Sequence, residues 1–148
     1  MGSITLPTSG SVYIDSPIAI YSVERRPQFW PRLEPFWLSL QRGAPLRVVT
    51  SELTVLESFI VPLRDADVVR QAEFDSFFAS GAVEVLPITR PLLMEAARLR
   101  ATARHLRTPD AIHVATALLS RCNTFLTNDA GPRSLPGVST TYLGDVTP

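Results

Sequence analysis

The sequence predicts an α/β fold, a single domain with a mostly parallel central sheet flanked by helices on both faces, and three observations predict it. Short apolar or β-branched runs recur along the chain, SVYID at 11–15, LRVV at 46–49, VEVL at 83–86 and TFL at 124–126. Stretches with apolar residues at helical spacing separate them, an alternation that calls for parallel strands joined by crossover helices. A length of 148 residues with 45% hydrophobic content suits one core. One domain over 1–148 is therefore expected, with 1–10 a loose N-terminal segment.

The first strand, Ser11 to Asp15, ends in an acid, and Pro17 suits the first turn of a helix carrying Ile18, Ala19, Tyr21 and Ser22. A carboxylate at a strand-to-helix junction lies where open α/β sheets place their ligands, although capping the helix is its plainer role. Arg25 to Gly43 holds both tryptophans, Trp30 and Trp37, and reads as an amphipathic helix with a loose entry. Leu46 to Val49 is the second strand. Thr50 or Ser51 caps the next helix, in which Leu53, Leu56, Ile60 and Leu63 form an apolar face. Glu57 lies in that helix, and its long side chain tilts back toward the helix start, ahead of the rival Glu52, which serves the dipole.

A helix over Ala66 to Ser80 turns Val69, Phe74, Phe77 and Phe78 inward and stops at Gly81, with Asp65 and Asp67 at its capped start. Val83 to Leu86 gives the third strand. From Thr89 a helix through RPLLMEAARLRATARHLR buries Leu92, Ala96, Leu99, Ala103 and Leu106. Beside that face Arg100, Arg104 and Arg107 form a stripe, read either as an edge that tracks phosphates or as stems covering apolar surface and pairing with acids. Thr108 caps the following helix, Asp110 falls in its first turn, and Ile112, Ala115, Leu118 and Leu119 face inward. Thr124 to Leu126 is the fourth strand, AGPRSLPG a loop, and Val138 to Leu143 the last strand.

Composition excludes several classes. No apolar run is long enough to span a bilayer, no secretory signal opens the chain, and Leu6 breaks a myristoylation pattern, so a cytoplasmic location is expected. One cysteine, Cys122, read as a small buried hydrophobe, rules out an internal disulfide or multi-cysteine zinc site. Two histidines, His105 and His113, leave little for a soft metal. Fourteen basic residues balance 14 acidic ones, and every basic residue is arginine. That residue suits bidentate phosphate contacts, while a genome-wide bias explains it equally simply.

With the first, second and fourth strands parallel, their carboxyl ends and the adjoining helix starts bring Asp15, Glu57, Asp110 and Asp129 together. Unpaired carboxylates so placed repel, and a divalent cation removes the conflict. All-oxygen ligands favour Mg2+ or Mn2+, and hydrolysis of a phosphodiester is the natural reaction. His113, one turn beyond Asp110, is placed to hydrogen-bond that carboxylate from behind, with a core histidine as the plainer reading. Thr127 and Asn128 are candidates to orient water at the site, and Ser16 is a further supporting residue.

Four blocks, VYIDSPIAIYSVE, TSELTVLES, LRTPDAIHVATAL and FLTND, resemble the signature blocks of PIN-domain ribonucleases, most closely those of VapC-type toxins from bacterial toxin–antitoxin pairs. The resemblance runs from about Val12 to about Leu143. It implies metal-binding acids at Asp15, Glu57, Asp110 and Asp129, and a Thr/Ser-x-Asp element at Thr127 and Asp129. It further implies a Mg2+- or Mn2+-dependent endonuclease acting on structured RNA, homodimeric, and silenced by a cognate antitoxin. Where the family often has asparagine two residues after the first aspartate, this chain has Pro17. Competing readings are a metal-dependent phosphatase, which wants a second acid two residues after its aspartate nucleophile, and a silent RNA- or protein-binding module on the same scaffold.

Overall fold

The computed structural model describes residues 2–135 and 137–148; Met1, and Pro136 within the AGPRSLPG stretch, lie outside the described residues. Strand β1 (Gly10–Ile14) leads into α1 (Ser16–Glu24) and α2 (Trp30–Gln41), then β2 (Leu46–Ser51), α3 (Glu52–Arg64) and α4 (Val68–Ala79). Next come β3 (Val83–Leu86), α5 (Arg90–Thr102), α6 (Thr108–Leu119), β4 (Thr124–Thr127) and β5 (Thr140–Tyr142), with short 3-10 turns at Gly131–Ser134 and Leu143–Asp145. The sheet has the order β3-β2-β1-β4-β5, and every pairing is parallel. The chain moves outward from β1 through β2 to β3, then returns to lay β4 on the other side of β1. That reversal, between β1 and β4, is a topological switch point, the place where open α/β sheets hold their ligands.

Alternation along β1 divides the core. Val12 and Ile14 face one layer with Ile18, Leu33, Phe36 and Leu126, while Tyr13 faces the other with Val49, Leu92, Val114 and Phe125. Both layers are dry, as a parallel sheet covered on two faces requires. Gly10 starts β1 at φ +86°, and a Cβ there would lie 2.7 Å from the Asn123 Oδ1 that accepts the Ser11 amide. The segment before β1, expected to be loose, is pinned where Ile4 pairs with Val146 and the Thr147 amide donates to the Ile4 carbonyl.

Four helices depart from expectation. In α3 the buried residues are Thr54, Ser58 and Pro62, whereas Leu56, Ile60 and Leu63 are 60%, 52% and 61% exposed. Small side chains let α3 lie close on its neighbours, and Thr54 takes a hydrogen bond from Thr50, so the apolar face turns to solvent. Val69 of α4 is exposed likewise; Phe74 alone of that helix is fully buried. Helix α5 stops at Thr102 because Ala103 leaves helical geometry, so Arg104 and Arg107 do not continue a stripe from Arg100. Arg100 instead donates to the Leu106 carbonyl and the Thr108 hydroxyl and fastens the turn into α6. Helix α6 then starts at Thr108, with Arg107 rather than Thr108 in the capping position and no side-chain cap bond.

Cys122 is half-buried and its thiol is pushed up by burial, consistent with an inert small side chain. Among the described residues no helix is long and apolar enough to cross a membrane.

Candidate active site

Asp15 follows β1 directly and caps α1, its Oδ1 accepting from the Ile18 amide at 3.4 Å. Its Oδ2 accepts from the Thr127 hydroxyl at 2.5 Å, at the end of β4. The same hydroxyl accepts from the Asp129 amide at 2.9 Å, so one threonine ties the acid after β1 to the segment after β4. Asp15 is almost fully buried. Burial pushes its carboxyl up to about 6, and the Asp129 charge adds to the rise. The charge His113 carries when protonated, the Thr127 hydroxyl and the Ile18 amide pull the other way.

Asp110, in the first turn of α6, and Asp129, past β4, share one partner. Arg107 donates from Nε to Asp110 Oδ2 at 3.3 Å and from a terminal nitrogen to Asp129 Oδ2 at 3.1 Å. The Arg107 side chain is 72% exposed, so these pairs are held in high dielectric. Gly131 donates its amide to Asp129 Oδ1 at 3.0 Å and runs close beside Asp110.

Glu57 approaches from the second turn of α3. Its Oε1 accepts from the Ser16 hydroxyl at 2.8 Å and lies 2.8 Å from His113 Nε2. Burial raises the Glu57 carboxyl, but the His113 and Ser16 hydrogen bonds, with the charge His113 carries when protonated and that of Arg107, outweigh it and leave it below the usual range.

The four acids thus meet one edge in linked pieces: Asp15 to Asp129 through Thr127, Asp129 to Asp110 through Arg107, and Glu57 to Asp15's neighbour Ser16. Among the described residues no three carboxylate, imidazole or thiol groups sit close enough to form a ready metal cage. The expected partner of His113 needs correction. His113 bonds Glu57 and Tyr13, not Asp110, because its place on α6 turns the ring into the core toward β1 and α3. Asn128 sets its amide 3.5 Å from the Tyr21 hydroxyl. Arg107 reaches the acids themselves, Arg100 the backbone, and Arg104 lies exposed in the turn after α5. Tyr13 was invisible as a site residue; an aromatic inside an apolar strand two residues before Asp15 reads only as core.

A family model for the PIN domain matches residues 12–137. A comparison with curated proteins finds no sequence match. Among solved structures, VapBC2 from Rickettsia felis bound to a DNA fragment from its promoter superposes with a TM-score of 0.70 at 14% identity, over 89% of this chain and 98% of that one. FitAcB from Neisseria gonorrhoeae gives 0.67 at 21% identity over 91% and 99%. VapC20 of Mycobacterium tuberculosis, a toxin that cleaves the sarcin–ricin loop, gives 0.62 at 16% identity over 77% and 86%. The all-parallel sheet, its switch point and the matched span agree: the chain belongs to the PIN-domain family.

Proposed function

We propose that this protein is a Mg2+- or Mn2+-dependent endoribonuclease, the toxin of a toxin–antitoxin pair, hydrolysing phosphodiester bonds in structured RNA in the cytoplasm. The observation that carries the reading is the charge arrangement at the switch point. Among the described residues Asp15 is buried with no ion pair of its own, while Asp110 and Asp129 hold a guanidinium between them. An all-oxygen donor set with a cation already drawn to it fits a hard divalent ion. Asp15, Asp110, Asp129 and Glu57 are the residues that would hold it. When bound, such an ion supplies positive charge for the phosphoryl oxygens and an acidified water.

The chain's own residues then divide the work. Thr127 fixes Asp15 and the start of the Asp129 segment. With its two acids neutralised otherwise, Arg107 is free to turn to an RNA phosphate in bidentate fashion, and exposed Arg104 extends that positive edge. Titrating the protein with MnCl2 should give heat at low micromolar to millimolar concentration and divalent-dependent cleavage of RNA that EDTA stops. Asp110→Ala should abolish both with the fold intact. An Asp110→Ala chain that still cuts at the wild-type rate removes the assignment.

The solved relatives described as VapBC and FitAB complexes support an antitoxin partner. An open groove of about 1440 Å3 between α1, α2 and α4, bordered by Trp30, Trp37, Val68 and Val69, offers such a partner apolar cover. The outward stripe of α3 suits the second copy that the family resemblance implies. Ile60→Glu should therefore turn a dimer into monomers in sedimentation while shifting stability by only about 0.5 kcal/mol, as an exposed position does. An unchanged sedimentation coefficient would place the dimer contact elsewhere.

A further inference from the structure

We propose that Tyr13 and His113 form a buried hydrogen-bond relay that positions Glu57, with His113 held as the tautomer protonated on Nε2. The proposal rests on Glu57 serving the site as read above, but its geometry is independent of any ion.

Tyr13 is fully buried on β1, its ring stacked on Phe125 of β4 at 5.1 Å and set edge-on to His113 at 5.9 Å. Its hydroxyl lies 2.6 Å from His113 Nδ1. The phenol hydrogen has two kinds of acceptor within reach, Nδ1 and the neighbouring threonine oxygens, so the polarity of this bond is set from the far side of the ring.

The other ring nitrogen fixes that polarity. His113 Nε2 faces Glu57 Oε1 at 2.8 Å and the Ser16 oxygen at 3.3 Å. Ser16 has already given its proton to Glu57, so Nε2 meets two acceptors and must carry a hydrogen. The protons then run one way, from Tyr13 to His113 to Glu57, with Ser16 reinforcing the last step.

Both donors fall on a single carboxylate oxygen, Oε1. Glu57 is restrained through that oxygen and keeps Oε2 for a cation. A glutamate in mid-helix loses appreciable rotamer freedom when it is fixed, and the relay meets that cost before any ligand arrives. His113 is thus a positioning residue, and Tyr13 positions it in turn.

Substitutions at His113 separate this from plain core packing. In His113→Gln the side-chain amide can stand where Nε2 stood and still donate to Glu57; in His113→Asn the amide falls near Nδ1 and cannot reach. Calorimetry with MnCl2 on the whole protein should find His113→Gln close to wild type and His113→Asn weakened by about tenfold or more. Equal affinities for the two variants would overturn the relay. The ring nitrogens of His113, read by 15N NMR at pH 7.5 without metal, decide its polarity on their own. A neutral ring protonated on Nε2, with Tyr13→Phe lowering that tautomer's share, upholds it; a proton on Nδ1, or on both nitrogens, overturns it. Wild-type protein that takes up no Mn2+ would end the nuclease reading while the ring spectrum still judges the relay.

Discussion

Asp15→Asn should yield a protein that is more stable without divalent ions yet at least about 100-fold slower on RNA, a loss of about 2.7 kcal/mol of transition-state stabilisation. The reason lies in the raised Asp15 carboxyl. Folding moves it from an ordinary value of 3.8 to about 6, so between those values the folded chain binds more protons than the unfolded one. Stability contributed by this group is therefore present below pH 4 and lost as pH rises to 6, by about 3 kcal/mol for a shift of about two pH units. Asparagine removes that penalty, although its amide must find an acceptor where Thr127 now donates. A net gain of about 1–3 kcal/mol at pH 7.5 in EDTA, or roughly 3–10 °C in Tm, is expected. The gain should vanish near pH 4. Mn2+ affinity of the wild type should rise as pH climbs through 6 and level above it, since proton and ion compete for the same carboxylate. An Asp15→Asn protein less stable than wild type at pH 7.5 would mean the buried charge is well compensated and the site reading is wrong at its centre.

Phe125→Ala should cost about 3–5 kcal/mol, the range for truncating a fully buried aromatic ring. Phe125 sits between β1 and β5 at the middle of the sheet and stacks on Tyr13, so its loss opens a cavity beneath the relay as well as in the core. Urea denaturation provides the measurement. Leu93→Ala is the matched control, because an equally apolar residue that is 46% exposed should change stability by only about 0.5 kcal/mol. Similar losses in the two variants would show that Phe125 is not held in the core.

How much of this was legible from residues alone depends on the physics each feature uses. Strand alternation and helix caps are local, so the strands appear within a residue or two, with Val83–Leu86 matching at both ends. Asp15, Asp110 and Asp129 are legible because each stands directly at an element's end, where chain direction decides position. The inward face of α3 was not, since Thr54 and Ser58 are buried by the closeness of neighbours rather than by their own hydrophobicity. The break of α5 at Ala103 hides in a run of good helix formers; the Arg100 clasp on Leu106 is a tertiary matter that spacing does not encode. The His113 partner failed for a related reason. Helical spacing makes Asp110 a neighbour, but a ring turned inward meets what the core supplies.

Arg107 carries one further implication, concerning which ions the edge admits. A guanidinium that straddles two carboxylates sets an entry threshold: a singly charged ion such as potassium offers the pair no more compensation than the protein already provides, whereas a doubly charged ion offers twice as much. Since the arginine stands mostly in water, evicting it takes little. For the cation proposed at this edge, valence rather than affinity for any one element would then be the first filter.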